Sequence, residues 1–160
     1  MPVCLLTLHA YATWMPDRRE GSVHWRRGEQ PADAELADAY RRRQRQTSVC
    51  FDHEKQRVLI DQWLEAAEHQ ELIAYAAATD PTHLHLLVGW RGGREPEAVQ
   101  RAVKRSLSVR MNREFGERTW FTRGGHRRRV RERGHFDHLV RVYLPGHVGW
   151  KWDRVNGLYR

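Results

Sequence analysis

The segment Thr82-His83-Leu84-His85-Leu86-Leu87-Val88 constrains the fold more than any other stretch of the chain. Its apolar, β-branched character reads as a strand, and on a strand residues two apart point to the same face. His83 and His85 therefore project together, while Leu84, Leu86 and Val88 line the opposite face and must be covered. Such a strand needs a sheet with helices on its apolar side and room for two imidazoles on the other. Two imidazoles on one rigid face are also a start for a divalent metal site. With 10 His in 160 residues, a His-x-His pair arises about 0.6 times by chance, so the pair alone is equally what two half-exposed strand histidines look like.

The remaining pattern supplies partners for that strand. Residues 3–9 (VCLLTLH) read as a buried first strand. Residues 51–69 place Val58, Leu59, Trp63, Ala66 and Ala67 on one helical face. A strand over 71–78 leads through a turn at Asp80-Pro81 into the histidine strand. A helix over 96–113 carries Val99, Val103, Leu107 and Met111 as its apolar stripe, with Arg101, Lys104, Arg105 and Arg110 on other faces. A short strand near 119–122, a Gly124-Gly125 turn and a basic strand near 126–131 follow. A last helix starts near His135, and the tail 148–160 holds Trp150 and Trp152. This order of elements predicts one α+β domain over 1–160, a ferredoxin-like sandwich of antiparallel sheet with helices packed on it. The polar stretch 16–49, with Gly21, Gly28, Pro31 and Arg41-Arg42-Arg43, reads as a surface insertion that includes a solvated helix over 32–45.

Charge narrows the partner. The chain carries 28 Lys+Arg against 20 Asp+Glu, a net +8. Residues 91–133 alone hold 14 Lys+Arg and 5 Asp+Glu, a surplus of 9, so the rest nets −1. A local basic excess points to a polyanion, most simply nucleic acid. All but Lys55, Lys104 and Lys151 of the basic residues are arginine, which suits bidentate phosphate contacts. A GC-rich genome would also favour arginine, but that does not explain the clustering. No apolar run reaches the roughly 18 residues a membrane span needs, and the N-terminus lacks the pattern of a signal peptide. Cys4 and Cys50 make neither a metal-type pair nor a disulfide framework, as expected of a cytoplasmic protein. No phosphate-binding loop or dinucleotide fingerprint is present.

A second element stands late in the chain. In Leu139-Val140-Arg141-Val142-Tyr143-Leu144-Pro145-Gly146-His147, a tyrosine and a histidine lie four apart, a spacing that shares one face of a helix. A lone tyrosine there is ordinarily core or rim. Pro145 interrupts the pattern: proline removes a hydrogen bond and clashes with the carbonyl four residues back, at Arg141. The helix is therefore expected to end near Tyr143, with His147 reached from a turn.

Taken in order, three blocks of the chain resemble transposases of the IS200/IS605 type and the related REP-associated tyrosine transposases, both of the HUH endonuclease class. The first is Leu6-Thr7-Leu8-His9-Ala10-Tyr11-Ala12-Thr13-Trp14-Met15 with Arg19-Glu20-Gly21-Ser22-Val23. The second is the histidine strand 82–88, and the third runs from Trp120 through Gly124-Gly125 to Arg141-Val142-Tyr143-Leu144 and His147. The resemblance implies that His83 and His85 bind a metal, Mg²⁺ or Mn²⁺, and that Tyr143 is the nucleophile. His147 would take the third ligand position, where the family often has Gln or Asn; His126, His135 and His138 are substitutes should the proline displace it. The implied substrate is single-stranded DNA, often at a hairpin or palindromic end, cleaved and rejoined through a covalent 5′-phosphotyrosine. Arg101, Lys104, Arg105, Arg110, Arg123, Arg127, Arg128 and Arg129 would then track the DNA backbone, with Arg131 beside them.

Other readings stand beside it. The same fold could serve as a catalytically idle module that only binds DNA hairpins, although such a module has no need of the His83, His85 and Tyr143 trio. A zinc-dependent hydrolase could use His83, His85 and either His138 or His147, with Asp80 as the one nearby carboxylate. A replication initiator or relaxase of the HUH class is disfavoured by the small size and single candidate tyrosine. Related transposases occur as homodimers and as monomers, and the sequence leaves both open.

Overall fold

The computed structural model describes residues 1–17, 22–24 and 28–160, and the side chains of these apart from 22–24, 28 and 29. The first strand, β1 (Val3–His9), is followed by a small hairpin of β2 (Ser22–His24) and β3 (Gly28–Gln30), and then by helix α1 (Ala34–Arg43). Asp33 caps α1 by accepting the Leu36 N–H at 2.8 Å, satisfying one of the amides a helix start leaves unpaired. The stretch 16–49 contributes a hairpin and a helix outside the main sheet among its described residues; Arg19, Glu20 and Gly21 lie outside the described residues. Ala37 and Val49 from this stretch are buried.

Helix α2 (His53–His69), capped by Asp52, leads to β4 (Leu72–Asp80), and Pro81-Thr82 turns the chain into β5 (His83–Trp90). Helix α3 (Pro96–Phe115) has proline in its first turn, where the missing N–H costs nothing, and ends at Gly116 with φ 91°. Strand β6 (His126–Arg129), helix α4 (Arg133–His138), and strands β7 (Lys151–Asp153) and β8 (Gly157–Tyr159) complete the chain.

Among the described residues the main sheet has six antiparallel strands in the order β6-β1-β5-β4-β7-β8. Its first four, with α2 and α3 as the two crossovers, are the βαββαβ sandwich expected from the sequence. The alternation in β5 separates its two faces as anticipated. Leu84, Leu86, Val88 and Trp90 are fully buried with Leu6 and Leu8 of β1 against Leu59, Ile60 and Trp63 of α2 and Val103, Leu107 and Met111 of α3. Each such side chain contributes on the order of 1.5–3 kcal/mol by leaving water.

Three elements differ from expectation. The strand expected at 119–122 is a single bridge between Ala10 and Phe121, because Trp120 and Phe121 turn into the core instead of extending a ladder. The tail folds as the β7–β8 hairpin on the free edge of β4, its tryptophans packed partly against the core. The last helix begins at Arg133 and changes register at Leu139. No helix among the described residues is long and apolar enough to cross a membrane.

Candidate active site

The face of the sheet away from α2 and α3 is narrow and small-walled. Ala76 and Ala78 of β4, with Leu5 and Leu87, form a shallow bed on which Leu139 and Leu144 pack. Small side chains let the last helix lie close to the sheet, beside the two histidines. That helix widens over Leu139–Tyr143 into a π-turn, in which the Leu144 N–H donates to the Leu139 carbonyl at 2.9 Å. Single π-turns recur at functional sites because they re-aim one side chain. Pro145 has no N–H to continue the ladder, and the helix ends there, as the sequence predicted.

This ending brings four side chains together. His85 lies opposite Thr7 and Ala78 across the sheet, and His83 lies opposite His9 and Asp80. One ring nitrogen from each of His83, His85 and His147 falls within 4.8 Å of the others. Ring centroids are 4.7 Å apart for His83–His85, 4.7 Å for His85–His147 and 5.7 Å for His83–His147. The Tyr143 hydroxyl stands 3.3 Å from His85 Nε2, and the phenol edge also meets His147. Tyr143 is 39% exposed.

The second nitrogen of each ring is engaged. His147 Nδ1 lies 2.9 Å from the Tyr143 carbonyl and 3.2 Å from that of Leu144. A carbonyl only accepts, so His147 carries its proton on Nδ1 and presents the lone pair of Nε2. His85 Nδ1 is 2.9 Å from Thr7 Oγ1, and His83 Nδ1 is 3.0 Å from Thr82 Oγ1. Ring nitrogens held from behind in this way are characteristic of metal-binding histidines. Burial, reinforced by the His83 and His147 rings, drives the His85 pKa down to about 2, so its imidazole is neutral at any ordinary pH and available as a ligand. Burial, and then the Asp80 carboxylate, raise the Tyr143 phenol above its usual value, partly offset by Arg128.

Several supports were not visible in the sequence. Asp80 Oδ1 accepts the Val148 N–H at 3.2 Å, and Lys151 donates to the His147 carbonyl at 2.9 Å. Buried Gln56 accepts the Trp150 N–H at 3.1 Å and the Thr79 hydroxyl at 3.1 Å, and donates to the Phe51 carbonyl at 2.7 Å. The chain after Tyr143 is thereby tied to β4 and α2. A buried glutamine in an amphipathic helix gives no sequence signal, because its pattern is that of any polar position.

The basic residues are not gathered into one track. Cross-strand register puts Arg128 on the histidine face, opposite Leu5, and Arg127 and Arg129 on the other face, opposite Leu6 and Cys4. Arg127 donates to Gln100 Oε1 at 2.6 Å, and Arg129 stands 3.6 Å from Glu95. Lys104 is committed inside the fold, its ammonium donating to the Thr122 carbonyl and, at 3.0 Å, to that of Gly124. Arg105 and Arg110 line a groove between α2 and α3, where Arg110 is 2.8 Å from Glu114, and Arg101 pairs with Glu97 at 3.4 Å. All three are on the helical layer, across the sheet from the histidines. Arg123 is exposed in the loop before β6, while His126 is on the histidine face, opposite Thr7. His135 and His138 lie in α4, outside the three-histidine cluster.

Fold and site together define an α+β protein that presents a tyrosine hydroxyl and three convergent imidazoles on the open face of an antiparallel sheet. No family model and no curated protein matches the sequence. Among solved structures the chain is similar to one described as "Structure of the REP associates tyrosine transposase bound to a REP hairpin", at 11% identity and a TM-score of 0.49, over 87% of this chain. The chain spans 62% of the length of that structure's chain.

Proposed function

We propose that the protein is a metal-dependent endonuclease and strand transferase of single-stranded DNA, a tyrosine transposase of the HUH type that works through a covalent 5′-phosphotyrosine. The observation that carries this reading is the Tyr143 hydroxyl, 3.3 Å from a ring nitrogen of a three-histidine cluster. A phenol placed there has little structural work to do, since it is 39% exposed and its ring edge rests on other site residues.

The donor set fits a divalent cation. Three ring nitrogens converge, each ring held from behind by a hydroxyl or carbonyl. His83, His85 and His147 would hold Mg²⁺ or Mn²⁺, which when bound supplies Lewis-acid polarisation of the scissile phosphate. The chain's own groups do the rest. Tyr143 Oη forms a bond to phosphorus as the P–O3′ bond breaks, and the phenolic proton is balanced by the proton taken up on the released 3′ oxygen. The phosphodiester energy stays in the phosphotyrosine, so a second 3′-OH can attack it, restoring the phenol and joining the strands without a nucleotide cofactor. Arg128, on the same face, offers a phosphate contact beside the tyrosine. A hairpin end is the proposed form of the DNA.

The test uses end-labelled single-stranded DNA from the flanks of the protein's own gene, with Mn²⁺ or Mg²⁺, on denaturing protein gels. The expected result is a labelled, metal-dependent adduct that is absent from Tyr143→Phe and from the double variant His83→Ala, His85→Ala. Tight hairpin binding with no adduct in any metal would instead establish an idle binding module.

A further inference from the structure

Asp80 ends β4 directly opposite His83 in the sheet register, which puts its carboxylate on the histidine face. Oδ2 stands 3.3 Å from His83 Nε2 and 3.9 Å from His147 Nε2. It therefore meets the Nε2 atoms of both rings, the nitrogens left over once each Nδ1 is engaged. Oδ1 accepts the Val148 N–H at 3.2 Å, which fixes the carboxylate plane and leaves Oδ2 aimed at the cluster. The side chain is only 19% exposed. Adjacent ligand atoms on one ion with bonds of about 2.1–2.2 Å stand roughly 3.0–3.6 Å apart. The Oδ2–His83 separation lies within that span, and the Oδ2–His147 separation is a few tenths of an ångström beyond it.

We propose that Asp80 is a fourth ligand of the ion held by His83, His85 and His147, and that its oxygen turns a zinc-type donor set toward harder cations such as Mn²⁺. This rests on the metal reading above and extends it to a residue outside the histidine and tyrosine motifs. Three imidazoles alone are a donor set that zinc fills readily. A carboxylate adds a hard oxygen and a negative charge, the features that suit Mg²⁺ and Mn²⁺. The same carboxylate ties the turn after Tyr143 to β4 through Val148, so one residue would join ligation to the placement of His147.

The experiment is Mn²⁺ and Zn²⁺ titration of the full chain without DNA, followed by calorimetry and by the Mn²⁺ electron paramagnetic resonance signal. Four proteins are compared: wild type, Asp80→Asn, Asp80→Ala, and the double variant His83→Ala, His85→Ala. Asp80→Asn keeps an acceptor for the Val148 N–H and loses the charge, and its melting temperature in chelator checks that the turn is intact. The expected result is Mn²⁺ binding weakened at least tenfold in Asp80→Asn, with Zn²⁺ binding weakened less than threefold. Mn²⁺ binding equal to wild type in Asp80→Asn, but lost in the double variant, overturns the fourth ligand and leaves the histidine site standing. An equal loss of both ions overturns the selectivity. Mn²⁺ binding unchanged in the double variant removes the histidine site itself, and with it both proposals.

Discussion

The Nδ1 of His147 lies 2.9 Å from the carbonyl oxygen of Tyr143, so the backbone of the candidate nucleophile fixes the tautomer of the candidate ligand. The bond spans four residues and crosses the point where Pro145 ends the helix. His147 thus reaches the cluster because the helix stops. His147→Ala should leave folding nearly intact and weaken Mn²⁺ binding about tenfold or more, by analogy with the loss of other ordered metal-site groups. Calorimetry on the purified variant checks this.

Acid should destabilise the metal-free protein through His85. Its folded pKa, about 2, lies below the unfolded value of about 6.5. The unfolded chain therefore takes up the proton first as pH falls, and stability is lost progressively below about pH 6.5. From pH 7.5 to 5.0 this one group accounts for about 2 kcal/mol. Unfolding free energies from urea titrations in chelator at the two pH values should show a drop in wild type that exceeds the drop in His85→Gln by about that amount.

DNA contacts should divide by face. Arg128→Ala should weaken single-strand binding and lower the slope of log K against log salt by about 0.7, the loss of one phosphate contact. Arg105→Ala and Arg110→Ala, across the sheet on the helical layer, should leave that slope unchanged. Fluorescence anisotropy across a salt series distinguishes them. Lys104→Met should act differently again, costing about 1–3 kcal/mol of stability because two carbonyls lose their donor.

Gly149 is where the chain passes closest to its anchor. A Cβ there would overlap the Thr79 carbonyl oxygen and stand 2.5 Å from Gln56 Oε1. Gly149→Ala should cost about 1–3 kcal/mol and, by moving the turn that carries His147, also weaken metal binding. Thermal unfolding and Mn²⁺ titration on the same sample measure both effects.

Much of this was legible in the sequence because it depends on period. The alternation of residues 82–88 set both faces of β5, and the apolar stripe from Val99 to Met111 identified α3 as a helix over the leucine face. Pro145 announced where the last helix ends. What could not be read depends on distant pairings. The π-turn at 139–143 arises where the helix meets the alanines of β4, and nothing within its own five residues demands it. Asp80 stands out in the sequence as the one carboxylate near the histidine pair, but only the register, which sets it opposite His83, puts it on the histidine face. The basic surplus of residues 91–133 suggested one surface, yet neighbours such as Arg127 and Arg128 alternate between faces, and Lys104 turns inward to bond two carbonyls.

The most direct measurement is the site of covalent attachment. Single-stranded DNA from the gene's flanks is incubated with wild-type protein and Mn²⁺, trapped by denaturation, digested with trypsin and nuclease, and mapped by mass spectrometry. The account predicts a nucleotide-5′-phosphate adduct on the peptide containing Tyr143, at Tyr143 itself, with a free 3′-OH on the released strand. An adduct on any other residue, or cleavage that proceeds fully in Tyr143→Phe, would contradict it.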